Sequence, residues 1–138
     1  MKTATFLLIG LLVFVGRTLG QNDLPTIGTF DDIKGLSKGY VVADNESLKA
    51  MLKELKKQPA FTLVDKPDDA EFFLEYKTIS RQQLGLTGGT TETGQLDAYV
   101  RRDGKKVVAW SQSTTGGGFK GDTAHRLIEK FLKRAKNK

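Results

Sequence analysis

Apolar and polar positions alternate with two different periods along the chain, and the two periods assign most of its elements. Leu48, Met51, Leu52 and Leu55 recur at helical spacing with Lys49, Lys53, Glu54 and Lys56 between them, which predicts an amphipathic helix stopped by Pro59. Asp44 and Asn45 are its candidate caps, and Tyr40–Ala43 before them reads as a short strand. Ala124, Leu127, Ile128, Phe131 and Leu132 repeat the helical spacing near the C-terminus, with Asp122 or Thr123 as the expected cap.

Between the helices the period falls to two. Phe61–Val64 predicts a strand and Lys66–Asp69 a turn, after which Phe72, Leu74 and Tyr76 alternate with Phe73, Glu75 and Lys77. Residues 80–94, rich in Gly, Thr and Gln, read as a long loop of the kind that is mobile or functional. Asp103-Gly104 between two alternating runs specifies a two-residue hairpin turn. If Arg102 faces Lys105, then Val100 faces Val107, Ala98 faces Ala109 and Leu96 faces Ser111, while Tyr99 pairs with Val108 and Asp97 with Trp110 on the opposite face.

The predicted order is therefore strand, helix, strand, strand, two hairpin strands and helix, in an irregular lead-in over 21–38 followed by one domain over 39–138. The expected fold class is α+β, a two-layer domain whose mixed sheet carries both helices on one face.

Composition changes the picture at the N-terminus. Met1-Lys2, the apolar run Phe6–Val15 and the small residues Thr18 and Gly20 have the order of a cleavable export signal over residues 1–20. The run is roughly half of the 20 or so apolar residues that span a bilayer, so removal is favoured over a retained anchor. Removing 20 of the 138 residues leaves 118, enough for one domain with its own core. With no cysteine in the chain, disulfides, a thiol nucleophile, thiolate metal sites and lipid attachment through cysteine are all excluded. A soluble periplasmic or extracellular protein is expected.

The formal charge of +6 gathers at the C-terminus, in Lys120, Arg126, Lys130, Lys133, Arg134, Lys136 and Lys138. Cations there complement the helix dipole, and the same residues open a secondary option of polyanion binding. Nucleic acid is not expected as a partner.

Candidate chemistry is sparse. Gly116, Gly118 and Gly121 match a dinucleotide-type spacing, but no strand and acidic residue follow, and Asp122 stands where a phosphate loop needs lysine. His125 is the sole histidine, so a multi-histidine metal site within one chain is excluded; Glu129 lies one turn on. Glu71 and Glu75 share a strand face near Asp97, and carboxylates about 5–9 Å apart can cleave a glycoside. No catalytic residue, metal or cofactor is assigned.

The strongest candidate is the sheet face turned away from the helices. It carries Phe73, Glu75, Lys77, Asp97, Tyr99, Val108 and Trp110, a mixture of aromatics and charges of the kind that marks binding surfaces. Two readings stay open here: the face is exposed and binds a partner, or Ile27–Leu36 folds across and buries it.

The strand Tyr40–Ala43 leading to an amphipathic helix, the run Phe61–Asp65, and Asp68-Asp69-Ala70-Glu71 entering Phe72-Phe73-Leu74 resemble, over residues 39–137, the amino-terminal domain of TolB and related bacterial envelope-assembly domains. That resemblance implies a non-enzymatic adaptor whose partner is another envelope protein. Many such domains are lipoproteins, an anchoring that the missing cysteine puts in doubt. The alternative is a small secreted hydrolase of cell-wall material using Glu71, Glu75 or His125.

Overall fold

The structure, a computed structural model, describes residues 25–86 and 88–137. The expected export signal over 1–20 lies outside these residues. The chain forms β1 (Thr26–Ile27), β2 (Lys38–Val42), α1 (Asn45–Leu55), β3 (Thr62–Leu63), β4 (Phe72–Leu84), β5 (Gly89–Arg102), β6 (Lys105–Gly117) and α2 (Asp122–Lys136). The strands make one mixed sheet of six in the order β1-β6-β5-β4-β2-β3. The β4–β5–β6 meander is antiparallel, while β2 joins β4, β3 joins β2 and β1 joins β6 in parallel. Helices α1 and α2 pack on each other and α2 lies on β5 and β6, giving the expected two-layer α+β domain. Among the described residues no helix is long and apolar enough to cross a membrane.

Helix α1 begins where Asp44 accepts the Glu46 and Ser47 amides at 3.2 and 3.0 Å, satisfying donors that have no partner inside the helix. Its Met51 and Leu55 are fully buried. Helix α2 starts differently from expectation. Its N-cap is Gly121, at φ 88°, and no side chain caps it. A Cβ there would stand 3.2 Å from the Glu46 carbonyl oxygen and 3.3 Å from Ala50 Cβ, so glycine serves both the left-handed turn and the close approach of α1. Asp122, one position on, pairs instead with Arg126 at 3.0 Å.

The core is aromatic at one end. Phe131 of α2 has the rings of Trp110, Phe30, Phe61 and Phe72 around it at centroid distances of 5.6, 5.9, 6.2 and 6.5 Å. Phe30 and Ile33 come from the described part of the lead-in and pack in the helix-side core, with Leu36 against it. The Ile27–Leu36 segment does not cover the outer sheet face.

Two further expectations are corrected. Residues 80–94 are not a loop: β4 and β5 run through them, paired from Ser80↔Thr93 to Leu84↔Gly89. Residues 78–83 are exposed along both faces, so this part of the hairpin has no apolar stripe to reveal it. The β5–β6 register holds from Arg102↔Lys105 to Tyr99↔Val108 and then slips, Ala98 facing Trp110 rather than Ala109. A bulge accommodates Ala109 as the extra residue, and every pairing beyond it moves by one. Shorter shifts also occur, since the Phe61–Val64 strand contracts to Thr62–Leu63 and Phe61 turns its ring into the core.

Glu71 stands at the entry to β4 and accepts the Ser37 and Lys38 amides at 2.7 and 2.9 Å, tying β2 to β4. The Lys38 amide, then that of Ser37, holds its carboxyl below the ordinary 4.5. Asp32 is likewise held down by the Thr29 amide. A carboxyl with a depressed folded pKa stabilises above its unfolded value and loses that contribution as pH falls through the folded one. The urea midpoint is therefore expected to stay level down to about pH 5 and to fall below the ordinary 4.5, with a shallower fall in Glu71→Gln. Equal acid profiles for the two proteins would contradict this role of Glu71.

Candidate functional site

Tyr40 of β2, Phe73 of β4 and Tyr99 of β5 lie in register across the sheet face opposite the helices. Phe73 and Tyr99 stack at 5.0 Å, and Tyr40 meets Phe73 edge-on at 6.1 Å. No described element covers these rings, yet Phe73 and Tyr99 are only 3% and 6% exposed. Long basic side chains roof them. The Arg101 guanidinium sits 4.6 Å from the Phe73 centroid and Lys106 Nζ 4.2 Å from that of Tyr99.

The roof is wired to acids. Lys106 Nζ donates to Glu75 at 2.6 Å and lies 3.7 Å from Asp97, while Lys77 stands 3.2 Å from Glu75. Asp97 also accepts Ser111 Oγ at 2.6 Å and Gln95 Nε2 at 2.8 Å. Burial pushes the Glu75 carboxyl up, but the bonds from Lys106 and Lys77 outweigh it and the group stays below its ordinary value. Glu75 is thus held ionised, both carboxylates on this face have partners, and the face is a charge lattice laid over aromatic rings.

Of the residues predicted for the site, Phe73, Glu75, Asp97, Tyr99 and Val108 share this face, and Lys77 rims it. Trp110 does not. The bulge turns it to the other side, where it meets Phe131. Arg101, Lys106 and Tyr40 are the members that the sequence reading left out; the hairpin turn that aligned Tyr99 with Val108 also aligns Arg101 with Lys106.

The residues proposed for hydrolysis are dispersed. Glu71 is bound to backbone amides and Glu75 to two lysines, and they share no partner. His125 lies between Glu54 of α1 at 3.3 Å and Glu129 at 3.8 Å. The glycine run serves the path from β6 to α2, with Gly118 and Gly121 both at positive φ.

A second polar cluster lies at the base of the exposed β4–β5 hairpin. Tyr76 crosses over Gly94, where any Cβ would overlap its ring, and donates its hydroxyl to Glu92. Arg81 holds the other Glu92 oxygen at 2.6 Å. Burial, then the neighbouring Glu92, pushes the Tyr76 hydroxyl well above its ordinary range, so it remains a donor. A cleft of about 310 Å³ opens beside this cluster, lined also by Gly117, Lys120 and Thr123. Arg81, Glu92 and Gly94 fell inside the expected loop, and the pairing of Arg81 with Glu92 and of Thr78 with Gly94 across β4 and β5 brings them beside Tyr76.

No protein-family model matches the chain, and no curated protein is similar to it. Among solved structures it is similar to the hypothetical protein CT253 from Chlamydia trachomatis, with a TM-score of 0.51 and 9% identity over 73% of this chain and 96% of that one. The PelC dodecamer from Paraburkholderia phytofirmans gives 0.49 and 16% over 70% and 86%. A minor lipoprotein from Acinetobacter baumannii gives 0.46 and 15% over 74% and 94%. These are small bacterial proteins, one of them named as a lipoprotein, and none of the three is named as a TolB domain. At such identities the likeness to CT253 is one of fold.

Proposed function

We propose that the chain is an exported, non-enzymatic binding module of the bacterial cell envelope, and that it docks another envelope protein on the outer face of its sheet. One observation carries the reading: an ordered lattice of Lys77, Glu75, Lys106, Asp97 and Arg101 spread over Tyr40, Phe73 and Tyr99, with no described element laid across it. Tyrosine and arginine are the residues that most often anchor protein interfaces, and an alternating charge pattern selects partners and fixes their register. The export-type N-terminus and the TolB-like order of strand and helix support the envelope as the place of action. A partner would meet Arg101 and Lys77 first, since Phe73 lies beneath the guanidinium and Lys77 is more than half exposed.

Reversing both charges, in Lys77→Glu with Arg101→Glu, is expected to abolish capture of a partner from an envelope extract by the tagged mature protein. Some stability is lost as well, since Arg101 covers Phe73 and Lys77 pairs with Glu75, and a circular dichroism spectrum that still shows the folded domain makes the lost capture a surface effect. Capture that survives the double reversal, or a wild-type protein that captures nothing, would refute the reading.

A further inference from the structure

We propose that Glu54, His125 and Glu129 form a zinc-type metal site that ties α1 to α2. One ligand atom from each residue lies within 4.8 Å of the others. The shortest approaches use the two different ring nitrogens, His125 Nε2 at 3.3 Å from Glu54 Oε1 and His125 Nδ1 at 3.8 Å from Glu129 Oε2, so only one nitrogen binds the ion and the other carboxylate has to come round to it. Ligand atoms around a tetrahedral zinc are about 3.4 Å apart, given metal–ligand bonds of about 2.1 Å, so the three ligand atoms, within 4.8 Å of one another, have to close by up to about 1.4 Å through rotation of the imidazole and the exposed Glu129 side chain. His125 and Glu129 are one turn apart and share a face of α2, while Glu54 reaches them from the end of α1. The imidazole supplies one nitrogen, the carboxylates supply oxygens, and water fills the open position. One imidazole with two carboxylates suits zinc better than magnesium or calcium, which take oxygen ligands.

Glu54 is the unusual member. It sits between Met51 and Leu55 on the buried side of α1 and is itself only 9% exposed. A carboxylate there needs a cation, and Lys57 Nζ supplies one at 2.8 Å, on the oxygen that also faces His125. Lys57 is therefore the internal rival of a metal ion. The chain contains no cysteine and no second histidine, so a zinc ion held by an imidazole has to be held by His125.

The test is calorimetric titration of zinc sulfate into the full mature protein, freed of any histidine tag, with thermal melts at rising zinc. One site per chain and a melting temperature that climbs with zinc are expected. His125→Ala and the exposed Glu129→Gln should each weaken binding at least tenfold or so, because even outer partners of metal ligands are worth about 10- to 100-fold. Lys57→Ala, which removes the rival cation, should bind more tightly than wild type. Absence of saturable binding, affinity unchanged in His125→Ala, or weaker binding in Lys57→Ala would each overturn the site.

Discussion

Replacing Phe131 by Ala is expected to lower the unfolding free energy by about 3–5 kcal/mol, the usual cost of truncating a fully buried phenylalanine. Phe131 is 1% exposed and its ring meets rings from the lead-in, the segment after α1 and two strands. Four aromatic neighbours fixed from four parts of the chain cannot all close over the void, so the cavity term persists on top of the lost transfer energy. Domains of this size hold only about 5–15 kcal/mol in total, which leaves the variant near the edge of folding. Urea unfolding followed by circular dichroism measures the loss, and Phe131→Leu, which keeps most of the volume, should lose less. A loss under about 1 kcal/mol for Phe131→Ala would mean that the aromatic cluster is not a packed core.

Elements whose signals are local were legible in the sequence. The stripes Leu48–Leu55 and Ala124–Leu132 became α1 and α2, and Asp103-Gly104, both at positive φ, became the β5–β6 turn. Elements that depend on distant partners were not. Residues 78–83 of β4 are exposed on both faces, with Ile79 alone apolar among them, and alternation cannot mark a strand that buries nothing. Strand β1 is two residues long with Ile27 91% exposed, so only its pairing with β6 defines it. For the outer face, alternation placed Phe73, Glu75, Asp97 and Tyr99 together correctly, but not their burial. That depends on where the stems and heads of Arg101 and Lys106 lie, a matter of cross-strand geometry. The His125 cluster was half visible: Glu129 is one turn away, whereas Glu54 arrives from another helix.

The bulge at Ala109 makes the sharpest difference between sequence and structure measurable. With the unbroken register Trp110 lies on the outer face beside Asp97, and Trp110→Ala is then a surface change worth about 0.5 kcal/mol or less. With the bulge Ala98 opposes Trp110, and the indole packs edge-on against Phe131 at 5.6 Å, half-buried at the margin of the core. Trp110→Ala should then cost about 2–3 kcal/mol, below the value for a fully buried tryptophan because part of the ring still meets solvent. In a domain of this size that lowers the melting temperature by roughly 10 °C. The two registers thus differ several-fold in expected loss, more than the scatter of a denaturation measurement. A near-neutral Trp110→Ala would return the indole to the outer face and remove the bulge with it; the larger loss keeps Trp110 in the core and leaves partner binding to Lys77 and Arg101.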